Sequence, residues 1–120
     1  MAWLMKGEAG AARELAPGDW QAALQFEQQG PVAAILALLA ALETRPRTAA
    51  LLLGYAAAAW ARTGVQPMPT AQLTLERAEA IVLRAVGDVA VARLKLRGAT
   101  LSDASVTQLA FAAADAEPAV

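Results

Sequence analysis

The sequence predicts an all-α protein, an antiparallel four- to five-helix bundle organised around one long helix at about residues 71–97. Three observations lead there. A seven-residue register runs from residue 75 to residue 99, with Leu75, Val82, Val89 and Leu96 at one position and Ala78, Ala85, Ala92 and Ala99 three residues later. Apolar residues alternating at three and four make the single stripe that helix–helix packing requires, and a line of alanines lets a partner backbone approach closely. Hydrophobic residues make up 58% of the chain, and alanine, the best helix former, supplies much of the excess over an ordinary soluble domain. No segment shows the period-two alternation of a half-buried strand, and no repeat has solenoid spacing.

The elements follow in order. Residues 8–16 have helical character, interrupted by Gly10 and stopped by Pro17 and Gly18. Asp19 is a good N-cap for a short helix over 20–29, with Gly30 as its stop. Pro31 reopens a helix at its first turn, where a missing N–H costs nothing, and Ile35, Leu38, Leu39 and Leu42 mark one buried face. The break at 44–48 precedes a helix capped by Thr44 or Thr48 that runs to about Arg62, with Gly64 in the C-terminal capping position. A loop with Pro67 and Pro69 follows, and Thr70 or Thr74 starts the long helix. Glu76 and Glu79 lie near its positive end, and Arg93, Lys95 and Arg97 near its negative end, as the helix dipole favours. Ser102 caps a last helix whose buried face carries Val106, Leu109, Ala110 and Ala113.

A chain of 120 residues is one domain on size, with 1–18 a loosely ordered N-terminal segment and 117–120 a frayed tail. The N-terminus turns charged too soon for a secretory signal, and the apolar runs 31–42 and 49–61 fall short of the roughly 20 residues of a straight membrane span. The expected location is cytoplasmic, with no transmembrane segment.

The missing residue types exclude much chemistry. With no cysteine there are no disulfides, thiolate metal sites or cysteine nucleophiles, and with no histidine the commonest general base and metal ligand are gone. Glu76 and Glu79 stand three apart, but a carboxylate-bridged metal pair in a bundle calls for Glu-x-x-His. Ser102 and Ser105 have no histidine to activate them. Gly7-Glu8-Ala9-Gly10 lacks the Lys-Ser or Lys-Thr of a phosphate loop. The expectation is a non-enzyme with no catalytic residues, no cofactor, no metal and no evident small-molecule substrate. Trp3, Trp20 and Trp60 are expected to be core or interface anchors.

The net charge of −1 is unevenly placed. Residues 1–44 carry five acidic and two basic side chains, 45–97 eight basic and three acidic, and the remainder three acidic and none basic. Arg77, Arg84 and Lys95 fall on one line of the long helix, where Asp88 pairs with Arg84 at i, i+4. With Arg93 and Arg97, and with Arg45, Arg47 or Arg62 if the fold gathers them, they make a candidate contact for a nucleic-acid backbone.

Gln29-Gly30, the alanine- and leucine-rich stretch 33–39, Trp60 and Arg93-Leu94-Lys95-Leu96-Arg97 together resemble a known pattern. Over about 19–97 the chain is similar to the small all-helical subunit of type III CRISPR effector complexes of the Cmr type, although Pro31 stands where that family tends to have leucine. The resemblance implies a non-catalytic subunit stacked beside a guide–target duplex, with RNA as partner within a complex. The residues themselves point first to packing. So apolar a chain is expected to cover surface with a protein partner or a second copy, through the seam Leu75, Ala78, Val82, Ala85, Val89, Ala92 and Leu96. On this register Ala85→Leu overpacks the seam and Ala80→Leu does not.

Overall fold

The computed structural model describes residues 18, 20–25, 29–64, 66–112 and 115. These contain helices and no strands: α1 (Gln29–Leu42), α2 (Pro46–Thr63), α3 (Pro69–Val86), α4 (Asp88–Gly98) and α5 (Asp103–Ala110), with 20–25 also helical. The fold is an all-α bundle. The expected helix at 8–16, Trp3, the Asp19 cap, Ala113 and the tail 117–120 lie outside the described residues.

The organising element is the α1–α2 hairpin. α1 is buried almost all round, from Ala33 and Ala34 through Leu36–Ala41, and α2 is buried without interruption from Thr48 to Ala56. A helix apolar on every side belongs at the centre, with others laid against it. α3 packs on both central helices and α4 chiefly on α2. The expected single buried face of the first central helix is thus too narrow, and its last member, Leu42, is exposed.

The long helix at 71–97 is corrected: the chain breaks at Gly87, which closes α3 and opens α4. Gly87 has φ 86° and ψ 166°, a region that side-chain-bearing residues essentially do not enter. Its N–H reaches Leu83 O at 3.0 Å and its carbonyl accepts from Val91 N at 3.0 Å, so one residue finishes one helix and begins the next. Hydrophobic periodicity reads side chains, and it runs straight across this backbone turn.

Several ends differ from expectation for local reasons. Gly30 is inside α1, against Trp60, where a Cβ would stand 2.9 Å from the indole. Pro69 supplies the first turn of α3, so Thr74 falls within the helix, buried, its hydroxyl donating to Thr70 O at 3.0 Å. Gly64 ends α2 at φ 71° and Ser102 caps α5 through Ser105 N at 3.2 Å, both as expected. The α1–α2 turn is a Schellman closure in which Arg45 N donates to Ala40 O at 2.9 Å and Thr44 N to Ala41 O at 3.3 Å. Thr44 takes the left-handed position at φ 60°, so it turns the chain and caps nothing.

The cap of α2 comes from far along the chain. Asp115 carboxylate oxygens accept from Thr48 N at 2.8 Å and Arg47 N at 3.2 Å. Arg45 reciprocates from inside the bundle, only 4% exposed. Its guanidinium donates to Leu109 O, Ala110 O and Ala112 O at 3.3, 3.2 and 2.9 Å and to Glu43 Oε1 at 2.6 Å. The start of α2 and the end of α5 therefore cap one another, satisfying orphan groups at both. Two further ties hold α5: Trp20 Nε1 donates to Thr107 Oγ1 at 2.7 Å, and Tyr55 donates its hydroxyl hydrogen to Asp103. Trp20 and Tyr55, both fully buried, meet edge to face with centroids 5.9 Å apart.

α2 and α4 cross with no side chain between them. A Cβ on Gly54 would lie 2.0 Å from Lys95 O, and one on Gly98 would lie 2.0 Å from Leu51 O. The pairing of early with late residues makes the crossing antiparallel. The close approach expected along the alanine seam exists, but on these glycines.

Gly54→Ala measures the crossing. Alanine gains about 1 kcal/mol in helix propensity. Overpacking against backbone is expected to outweigh that, for a net loss of at least about 2 kcal/mol and a fall in Tm of roughly 10 °C. A rise in Tm would place the helices further apart than described.

Tyr55, the chain's single tyrosine, has its pKa pushed above the ordinary value by burial first, and then by its bond to Asp103 and that carboxylate's charge; nearby Arg62 opposes. The folded state thus holds the phenolic proton more tightly than the unfolded chain does. The resulting stability is complete below about pH 10 and is lost as pH rises through the folded value. Denaturant midpoints are expected to fall with pH above about 10, and Tyr55→Phe to flatten that limb.

Candidate interaction surface

The turn at Gly87 gives the two halves of the heptad register opposite fates. Before it, Ala78 and Val82 are fully buried and Leu75 half-buried. After it, the inward face of α4 is Val91, Leu94 and Gly98, and the register positions come out on the opposite side. Val89 is 72% exposed and Leu96 75%, with Ala92 and Ala99 exposed as well, while Ala85, on the last turn of α3 before Gly87, is already exposed. The seam is therefore corrected: Leu75, Ala78 and Val82 face the interior, whereas Ala85, Val89, Ala92 and Leu96 are exposed. α4 carries apolar residues on both sides, which its length of 11 residues and mixed composition had concealed.

On a helix at 100° per residue, Val89, Ala92 and Leu96 lie in one strip. Arg93 and Arg97 stand along one edge of it, Asp88 and Lys95 along the other. Arg93 and Arg97 are exposed, and their guanidinium groups make no ion pair or hydrogen bond among the described residues. Lys95 is engaged: its Nζ lies 2.7 Å from Glu79 Oε1, tying α4 to α3 at points equidistant in sequence from Gly87.

The expected basic line dissolves accordingly. Arg77 and Arg84 are exposed on α3, Arg93 and Arg97 on α4, and Lys95 is neutralised. The Arg84–Asp88 pair does not form, because Gly87 puts the two residues on different helices. Arg45 is interior, Arg47 lies 3.8 Å from Asp115, and the Arg62 guanidinium sits 5.9 Å from the Tyr55 ring centre.

Among the described residues no group of three or more acidic side chains stands close enough to hold a metal ion. Glu76 is exposed and Glu79 is spent on Lys95. An open cleft of about 530 Å³ lies between the end of α2 and the start of α3, with Trp60 and Leu75 in its wall and Gln66 and Gln72 as its polar groups. Among the described residues no ionisable side chain lines it. No helix among the described residues is long and apolar enough to cross a membrane.

Sequence reasoning missed Arg45, Asp115 and Gly54 as structural residues. Only Gly54 left a signal. A glycine inside the apolar run 49–61 costs about 1 kcal/mol of helix propensity, which a close backbone approach explains. Compared with known proteins, the chain matches no family model, no curated protein and no solved structure.

The buried and exposed members of the register on α3 separate experimentally. Ala78→Leu is expected to cost about 1–3 kcal/mol through overpacking, and Ala85→Leu to stay within about 0.5 kcal/mol of the parent. Leucine and alanine are both strong helix formers, so thermal melts of the pair compare packing alone.

Proposed function

We propose that this chain is a non-catalytic helical-bundle subunit that acts by packing against other protein surface. The observation that carries the reading is the outward stripe of α4, where two large aliphatic side chains stand about three-quarters exposed on a helix already anchored by its other face. Exposed aliphatic residues scattered singly need no explanation, but a strip at helical spacing, edged by charge, has the form of a helix-packing interface. The absence of histidine and cysteine, and the engagement of Glu79, Asp103, Asp115 and Lys95 in structural bonds, accord with a role in assembly.

A second reading draws on the four exposed guanidinium groups of Arg77, Arg84, Arg93 and Arg97, which suit a phosphate backbone. It is the role implied by the likeness to the small subunit of type III CRISPR complexes. It requires single-stranded RNA binding that falls steeply with salt and weakens on Arg93→Glu with Arg97→Glu.

For the packing role, light scattering on the eluting protein is expected to give either a mass above one chain or a monomer that binds an apolar fluorescent dye. Val89→Gln with Leu96→Gln is expected to remove the association or the dye signal while far-UV circular dichroism stays unchanged. A monomer that binds no dye at high concentration would sink the proposal.

A further inference from the structure

We infer that the outer face of α4 docks a single amphipathic helix of a partner protein whose apolar stripe is edged by aspartate and glutamate. The inference rests on the packing role above and names the chemistry of what is packed. Val89, Ala92 and Leu96 present a narrow strip with a small residue at its centre, so a helix can lie close along it. The guanidinium groups of Arg93 and Arg97, one turn apart on the same edge, are without partners among the described residues. In paired helices the residues beside the stripe select partner and orientation by charge. Two uncompensated guanidinium groups on that edge select carboxylates.

Two arguments set a second copy of this face aside. Antiparallel self-pairing sets Arg93 and Arg97 against their own counterparts, and parallel pairing offers only Asp88 against Arg93. The area is also wrong. α4 has 11 residues, which at 1.5 Å each give a strip of about 16 Å. At about 10 Å wide, the diameter of a helix, such a strip offers on the order of 160 Å², far short of the roughly 800 Å² per partner of a stable dimer.

The test uses the intact protein and two labelled helical peptides of three heptads, with leucine and alanine on the stripe. One peptide has glutamate at both flanks, the other lysine. Fluorescence anisotropy is expected to show the glutamate peptide binding at least about tenfold more tightly, with the gap narrowing as salt is added. Arg93→Glu with Arg97→Glu is expected to invert the preference, and Val89→Gln with Leu96→Gln to abolish binding of both peptides, with helicity retained in each variant. Failure to bind either peptide overturns the inference. Equal affinity for both, lost on Val89→Gln with Leu96→Gln, also overturns it but leaves the packing role intact, since that role stands or falls on association and dye binding. A single-stranded oligoribonucleotide that displaces the glutamate peptide, and binds regardless of Val89 and Leu96, would overturn it in favour of a phosphate-contacting surface.

Discussion

The crossing of α2 over α4 is the constraint on which the rest of the arrangement turns. With no side chain between Gly54 and Lys95 or between Gly98 and Leu51, the two backbones can meet at only one rotation of α4 about its axis. That rotation sends Val91 and Leu94 inward beside Gly98. It also decides, without any contact of their own, that Val89 and Leu96 face outward. Judged by hydrophobicity alone the two faces of α4 are near equals. Glycine breaks the tie, because the face that lets backbones touch gains dispersion contacts along the whole crossing.

The same logic explains what could be read from the chain and what could not. Helical class, the stop at Gly64, the Ser102 cap and the proline-bearing loop before α3 are local matters, in which neighbouring residues decide the outcome. Gly87 is local too, but its signal was outweighed by an apolar register that continues undisturbed on both sides of it. The register was true of the side chains and false of the backbone. Arg45 and Asp115 are another case. A lone arginine in a charged turn and a lone aspartate near a tail give no hint of one another, since the bonds joining the two ends of the bundle are a product of tertiary structure. Thr48, expected as a cap, is instead a residue whose own N–H is capped.

Charge shows how far a linear tally can mislead. The middle of the chain is strongly basic in sequence, yet the fold removes Arg45 to the interior and sets Arg47 beside Asp115 and Lys95 against Glu79. Of the five arginines that remain in that stretch, Arg62 sits beside the Tyr55 ring and the other four are divided between two helices that meet at a turn. The interior guanidinium donates to four acceptors: the last two carbonyls of α5, the Ala112 carbonyl beyond it and the Glu43 carboxylate. Each such carbonyl left bare would cost about 1–3 kcal/mol.

The Arg45 cluster also sets an order of events when the chain is made. Its carbonyl acceptors lie 64, 65 and 67 positions further along. At about 5–20 residues per second, the guanidinium emerges from the ribosome roughly 3–13 s ahead of them. Throughout that interval α1 and α2 can pair, but the arginine at their junction has no interior acceptors except Glu43 and stays in water. α5, with 8 residues, is too short to persist alone. The hairpin and the last helix therefore each wait on the other, and the nascent bundle keeps an open end until synthesis has passed beyond α5.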